Sequence, residues 1–386
     1  MRLNPRKLSA EELLSHRPGL EPVPWCPGAF YLPERPVFTF DPLLHAGAYY
    51  VQEASSMYVA KVLREALGTD VGDDCENPAS GFFNPPLLAL DLCAAPGGKS
   101  TLLQSLLPEG SLLISNEVVA KRAQILSENI QKWMKGQPPQ APRVVVTQNR
   151  PSDFGRLAGR VDVLLTDVPC SGEGMFRKDE VAVQEWSLGN VEMCRQRQRE
   201  ILGDIWPALK PGGLLIYSTC TFNRYEDEDN VRWLCHETGA TLLCERHFLP
   251  GRDRGEGFYV AALRAPKPSS REDFARGLSE KDWQVDRLHI LPPEQAMPTA
   301  SEEDSDPHIE LTYDQALQYL RREALRIDAP RGPLTLCYRG LILGKGKGVG
   351  SRINNLYPEA WRIRTTYTQP FSLLERVENV QQNAPF

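Results

Sequence analysis

The sequence predicts an α/β fold built on a mainly parallel, doubly wound sheet, with a proline-rich N-terminal segment before it and a small β-rich module after it. Three observations carry this expectation. Between Leu87 and Ala265 short apolar runs alternate with stretches of helical period, the pattern of a parallel sheet covered by helices. The first of these runs leads into a glycine-bearing turn that opens a helix, as at the ligand crevice of doubly wound sheets. Beyond residue 308 the chain changes to apolar segments punctuated by glycine, which suit tight turns between short strands.

Taken in order, strands are expected at LLALDL (87–92), SLLISNE (111–117), RVVVTQN (143–149), VDVLLTD (161–167) and GLLIYSTC (213–220). Between them, VAKRAQILSENIQKWM and the long MCRQRQREILGDIWPALK, which meets a Pro211-Gly212-Gly213 break, have the spacing of amphipathic helices. The runs at 240–245 and 257–265 read as a hairpin on the sheet edge. A solvated linker is expected over 266–308, where proline, serine and acids culminate in SEEDSD at 301–306. A helix should follow at 313–326, then LTLCYRG and LILGKGKGVGSRINN as strands of the last module. The first residues show no sheet pattern of their own. The units are therefore expected at 1–50, 51–265, 266–308 and 309–386.

Composition narrows the classes. With 41% hydrophobic and 24% charged residues, and no apolar run near the roughly 20 residues of a membrane span, the chain reads as a protein without a membrane partner. MRLNPRKLSAEELL lacks the apolar stretch of a signal peptide, which points to the cytoplasm. Nine widely spaced cysteines include no C-x-x-C pair, and the six histidines show no metal spacing, so neither a disulfide framework nor a metal is assigned. The formal charge of −6 argues weakly against a polyanion ligand, but its distribution favours one. From Arg339 to Phe386 seven basic residues face three acids, making that end locally basic. No heptad pattern appears, and a monomer is expected.

The chemistry concentrates at strand ends. Cys93, Ala94, Ala95, Pro96, Gly97, Gly98 and Lys99 form the first turn, whose glycines let a ligand approach backbone and whose helix start offers free N–H groups to an anion. A phosphate-binding G-x-x-x-x-G-K-[ST] loop is the alternative, but its first glycine is missing. Glu117, about 20 residues on, stands where an acid accepts ribose hydroxyls. Asn149 could meet an adenine edge, in competition with Asp153. The fourth strand ends Asp167-Val168-Pro169-Cys170 and the fifth Ser218-Thr219-Cys220. Because neighbouring strand ends share one crevice, an acid and two thiols converge there. Tyr49, Tyr50 and Met57 could stack on a base or pack, while Lys99, Arg177 and Lys178 could meet phosphate or solvent.

Together LDLCAAPGGKST, the acid in NE, DVPCSGEGMFRKD and YSTCTFN resemble the RNA 5-methylcytosine methyltransferases of the Nop/Sun family, bacterial RsmF type. The likeness extends to RLNPRK and HAGAYYVQEASSM ahead of these motifs, and to LILGKGKGVGSRINNLYPEAWRIR, similar to the family's PUA-like RNA-binding module. The resemblance implies a class I, Rossmann-like fold and S-adenosylmethionine as cofactor, with contacts at Cys93 through Lys99, Glu117, Arg122, Asn149 and Asp167. It implies Cys220 as nucleophile, Cys170 as the thiol of release, and RNA as partner, with 16S rRNA first and tRNA as the alternative. It also implies an N-terminal RNA-binding segment, here shortened. A thiolate adding to carbon 6 of cytosine turns carbon 5 into an enamine-like nucleophile, dividing a hard step in two. An acid such as Asp167 can hold the ring edge as the adduct forms. A DNA cytosine methyltransferase would depend on Cys170 instead, and a non-catalytic ribosome assembly factor on neither thiol.

Overall fold

In a computed structural model, residues 1–67, 86–267, 285, 288–292, 306–365 and 371–374 are described. Most of the linker expected at 266–308 and the last part of the basic end lie outside the described residues. The start of the chain does carry a small sheet: Arg2–Leu3 (β1) pairs antiparallel with Tyr49–Tyr50 (β2). Such short strands leave no periodicity to read, and long-range bonds hold them instead. The buried Asn4 amide donates to the carbonyls of Gly47 at 3.0 Å and Trp133 at 3.1 Å. Helices Ala10–His16 (α1) and Pro42–His45 (α2) lie between them, capped by Ser9 and Asp41, whose side chains accept from Glu12 N and Leu43 N.

After helix Val59–Leu67 (α3), the central sheet takes Leu88–Asp91 (β3), Leu112–Asn116 (β4), Arg143–Thr147 (β5), Val161–Asp167 (β6), Leu209–Thr219 (β7), Thr241–Phe248 (β8) and Phe258–Arg264 (β9). Their order is β5-β4-β3-β6-β7-β9-β8, parallel through β7, with the β8–β9 hairpin added antiparallel at the edge. The chain builds outward from β3 in one direction and then in the other, so the switch point lies between β3 and β6. Alternate residues face opposite layers. Leu88 and Leu90 join the core with Ile114, Leu164 and Tyr217, whereas Ala89 joins the opposite core with Leu113, Val163 and Ile216. Helices Gly98–Leu106 (α4), Ala120–Met134 (α5), Glu180–Glu185 (α6), Leu188–Ile205 (α7) and Glu228–Thr238 (α8) occupy the connections.

Two element boundaries differ from expectation. The helix expected through Lys210 stops at Ile205, and after a single turn at Trp206–Ala208 strand β7 begins at Leu209. The Pro211-Gly212-Gly213 break therefore sits inside the strand, at a register irregularity against β6. Gly213 allows this, because a Cβ there would lie 2.7 Å from the Lys210 carbonyl oxygen. The helix expected over 313–326 spans Tyr313–Leu320, and it ends where Arg322 adopts φ 67°.

The last module is a four-stranded sheet of His308–Glu310 (β10), Ala329–Tyr338 (β11), Leu341–Gly350 (β12) and Ile353–Asn355 (β13), in that order. Its apolar face does not close on itself. Leu317, Leu334, Leu336, Leu343 and Tyr357 share one core with Leu3, Leu13, Phe40, Leu43 and Tyr49 from the start of the chain. The buried Asp41 carboxylate binds the two ends together, accepting from Tyr49 Oη at 2.8 Å and Leu373 N at 3.0 Å. Lys132 of α5 and Lys135, which caps its C-terminal end, lie over the Trp361 ring at 5.4 and 5.8 Å, tying this unit to the central domain. Among the described residues no helix is long and apolar enough to cross a membrane.

Candidate active site

The turn after β3 is shaped by its glycines. Gly97 has φ 113°, a conformation that disfavours side chains. A Cβ on Gly98 would press to 3.3 Å on Gln52 and Tyr50. Tyr50 Oη and Asn129 Nδ2 both donate to the Pro96 carbonyl, at 3.1 and 2.8 Å, and brace the loop from outside. The first N–H groups of α4 have no intrahelical partner and face the switch point.

Two buried carboxylates border this loop. Asp91, fully buried at the end of β3, accepts from Ser100 Oγ at 2.7 Å through Oδ2, while Oδ1 has no hydrogen-bond partner. Burial pushes its carboxyl up to about 7, with the Ser100 bond opposing the shift. Glu117, just past β4, accepts from Val119 N at 2.9 Å through Oε1. Its Oε2 is 3.3 Å from the Arg122 guanidinium and also lacks a hydrogen bond, while Arg122 donates to the Ala95 carbonyl at 3.1 Å. The unpartnered Asp91 oxygen, and the Glu117 oxygen held by an ion pair alone, beside free helix N–H groups suit a ligand that carries an ammonium, a carboxylate and ribose hydroxyls. Cys93 lines the same place as a protonated thiol, since burial raises it far above the ordinary range. Asn149 sits beyond β5 with its side-chain amide already engaged. Oδ1 accepts from His289 N and Nδ2 donates to His289 O, both at 3.1 Å. Asp153 accepts from Arg150 N at 2.9 Å.

On the other side of the switch point the two thiols meet. Cys170 Sγ lies 3.1 Å from Cys220 Sγ, and both are free thiols. The Asp167 carboxylate accepts from Lys99 Nζ and from Ser218 Oγ, each at 2.7 Å. Lys99 also sits 5.1 Å from the centre of the Phe258 ring. Burial opposes the Lys99 charge, yet the Asp167 carboxylate outweighs it and holds the ammonium above its ordinary value. The hydrogen bond with Cys170 pulls Cys220 below the usual thiol range and the Lys99 charge acts the same way, against burial and the Asp167 carboxylate. The same bond raises Cys170 well above that range, with burial and the nearby Glu226 charge adding to it. Cys220 is thus the sulfur poised to ionise.

The loops bearing the thiols are held by residues that motif reading did not single out. Glu173 accepts from Thr221 Oγ1 at 2.7 Å, Phe222 N at 3.0 Å and Trp186 Nε1 at 3.1 Å. Glu226, fully buried, accepts from Ser171 N at 3.0 Å and from Gln198 and Asn223 at 2.7 Å. Gly174 N donates to the Cys220 carbonyl at 2.8 Å. Their only signal in the sequence is position: Glu173 and Gly174 lie inside the first cysteine motif, and Glu226 lies three residues past the second. Elsewhere, Arg177 and Lys178 lie within 3.8 and 3.5 Å of Glu256. Tyr49 and Met57 are core residues.

Comparison with known proteins follows the same division of the chain. The family model for 16S rRNA methyltransferase RsmB/F matches residues 85–264. That for the N-terminal domain of 16S rRNA methyltransferase RsmF matches 1–54, and that for the methyltransferase RsmF PUA domain matches 306–363. The ribosomal RNA small subunit methyltransferase F of Cronobacter sakazakii is 33% identical over 68% of this chain and 56% of its own length. That of Aliivibrio fischeri is 28% identical over 93% of this chain and 90% of its own. The chain spans about half the length of the first of these curated relatives, 56% and 52% for those of C. sakazakii and Shewanella amazonensis. Among solved structures, a methyltransferase homolog protein from Pyrococcus horikoshii superposes with TM-score 0.56 at 24% identity, over 68% of this chain and 85% of that one. NSun6 from the same organism, solved with SFG, has TM-score 0.53 at 19% identity over 69% and 90%. These two likenesses bear on the fold.

Proposed function

The chain belongs to the RsmB/F family of 16S rRNA methyltransferases, and on that premise we propose that it methylates carbon 5 of a cytosine in RNA, with 16S rRNA as substrate. The observation that carries the reading is the pair of thiols 3.1 Å apart, beside the Lys99–Asp167 pair, at the switch point of the sheet. The 93–99 loop, Glu117 and Arg122 would hold S-adenosylmethionine, which would supply the electrophilic methyl group. Asp91 Oδ1 and Glu117 Oε2, buried and without hydrogen bonds, are the acceptors it would satisfy.

The residues then divide the work. Cys220, whose ionisation the hydrogen bond with Cys170 favours, gives its proton to solvent and adds to carbon 6 of the cytosine, loading electron density onto carbon 5, which then takes the methyl group. Asp167 accepts from the amino edge of the base, and the Lys99 ammonium stabilises the negative charge that the ring gathers. Cys170 is kept protonated by the Cys220 thiolate. Once Cys220 is bonded to carbon, that cause vanishes; Cys170 can release its proton to solvent and, as the thiolate, take the proton from carbon 5, whose electron pair restores the ring double bond. The Cys220–carbon bond then breaks and the thiolate returns. Extrusion of the base into the crevice precedes these steps. In this reading residues 51–265 catalyse, while the segment at 1–50 and the module at 309–386 hold flanking RNA across a linker at 266–308. The enzyme acts as a monomer in the cytoplasm.

The test is a pair of variants assayed on 16S rRNA with cofactor. Cys220→Ala should abolish methylation, and Cys170→Ala should accumulate a covalent protein–RNA adduct visible on a denaturing gel. Turnover by Cys220→Ala, or a Cys170→Ala enzyme that forms no adduct, would remove this division of roles. Bisulfite mapping of RNA from cells with and without the gene locates the base, and a lost signal confined to tRNA would move the substrate.

A further inference from the structure

Past Cys220 the chain turns through Glu226 and Asp227 into α8. Asp227 stands at the position that precedes the helix, where an acid ordinarily accepts from a first-turn N–H. It makes no such bond. Instead its Oδ1 accepts from Thr219 Oγ1 at 2.6 Å, and its Oδ2, in a residue with no exposed surface, has no hydrogen-bond partner. That oxygen lies 3.9 Å from Nδ1 of His247, which comes from β8 in the edge hairpin. His247 Nδ1 is likewise buried and unpartnered, and so is Glu228 Oε2, whose companion Oε1 is 2.9 Å from His247 Nε2. Three residues from two elements thus bring ligand atoms within 4.8 Å of one another.

The surrounding charge is one-sided. Glu228, Glu226 and Glu173 all push Asp227 upward, in addition to its burial. The last two are satisfied by neutral donors alone. Glu245, next along β8, accepts from Tyr259 Oη at 2.6 Å. Arg252 reaches the His247 carbonyl but spends its charge on Asp253, which also takes Arg246. Among the described residues Asp227 and Glu228 pair with no lysine or arginine, and His247 compensates them only when protonated; buried carboxylates without a compensating cation are costly.

We propose that Asp227, Glu228 and His247 form a site for one divalent transition-metal ion of the zinc class. One imidazole nitrogen and two carboxylates suit zinc, cobalt or manganese, whereas magnesium and calcium prefer oxygen alone. Two metal–ligand bonds of about 2.0–2.2 Å span the gap from Asp227 to His247 Nδ1, and closing to a tetrahedral angle asks for about 0.5 Å of movement there, while Glu228 gives up its contact with the opposite ring nitrogen, Nε2, to turn a carboxylate oxygen to the ion. The side chains of Glu228 and His247 are 25% and 21% exposed, which leaves an entry path and room for a water as fourth ligand. The ion ties α8 to β8 and, through Thr219, braces the end of β7 that presents Cys220.

The test uses the full chain, stripped with a chelator, without RNA or cofactor, so its outcome is independent of the methylation assay. Titration with Co²⁺ should give visible bands of nitrogen and oxygen ligation, without thiolate charge transfer, saturating at one ion per chain. Asp227→Asn and His247→Gln should each weaken binding at least about tenfold while far-ultraviolet dichroism is retained. Absence of binding, binding with thiolate character only, or bands unaffected by His247→Gln would overturn the proposal. Should the variants not fold, the wild-type melting temperature decides: a rise with one equivalent of Co²⁺ that EDTA reverses supports the site, and an unchanged temperature refutes it.

Discussion

Asp91 sits under the glycine loop with one carboxylate oxygen bonded by Ser100 and the other by nothing. Its carboxyl is raised to about 7 from an ordinary 3.8, which has a definite sign for stability. Below about pH 4 the group is neutral folded and unfolded, and it costs nothing. As pH rises toward 7 the unfolded chain releases this proton while the folded one keeps it, so stability falls, and above 7 the loss is complete. Asp91→Asn cannot lose that proton. In cofactor-free protein it should therefore be more stable than wild type by a margin that grows between pH 5 and 8, up to about 4 kcal/mol, measured by urea midpoints. At this scale the sequence was a good guide to which residues meet and a poor one to their environments. Cys170, Cys220, Asp167 and Lys99 were legible because their chemistry lives in compact motifs. That Asn149 spends its amide on the backbone of residue 289, or that His247 meets Asp227 and Glu228, depends on contacts between distant segments that no local spacing encodes.

Among the elements, the two cysteine-bearing loops depend on a backbone approach that only glycine permits. A Cβ on Gly174 would lie 2.6 Å from the Cys220 carbonyl oxygen and 2.8 Å from that of Gly257. Both are main-chain atoms that cannot rotate away. Gly174→Ala must therefore push the Cys170 loop from the end of β7. It should cost about 1–3 kcal/mol in urea unfolding and reduce methylation further, because the Cys170–Cys220 contact opens; wild-type values in both measurements would show that the loops are not coupled this way. Strand types were legible here because buried parallel strands are continuous apolar runs, and the 161–167 strand was located to the residue. The start of β7 was not, because Pro211-Gly212-Gly213 is a breaker pattern that pairing with β6 on both sides, Val161 with Leu209 and Val163 with Leu214, overrides.

For the whole molecule, the informative feature is the core shared by residues before 50 and after 310. Read along the sequence these are separate segments, and in the fold neither covers its apolar face alone. Leu43, fully buried in that core, should cost about 2–5 kcal/mol when replaced by alanine. Amide exchange should accelerate in β11 and β12 as well as around α2, and acceleration limited to the first segment would argue for two independent units. The shared core also imposes an order on synthesis. At ~5–20 residues per second the interval between its first and last strands is on the order of tens of seconds. Throughout it the central sheet can fold while the early leucines and aromatics wait uncovered on the growing polypeptide. A chaperone, or the sheet's own surface, must shield them until the final strands leave the ribosome, so truncations that spare every catalytic residue should still yield aggregation-prone protein.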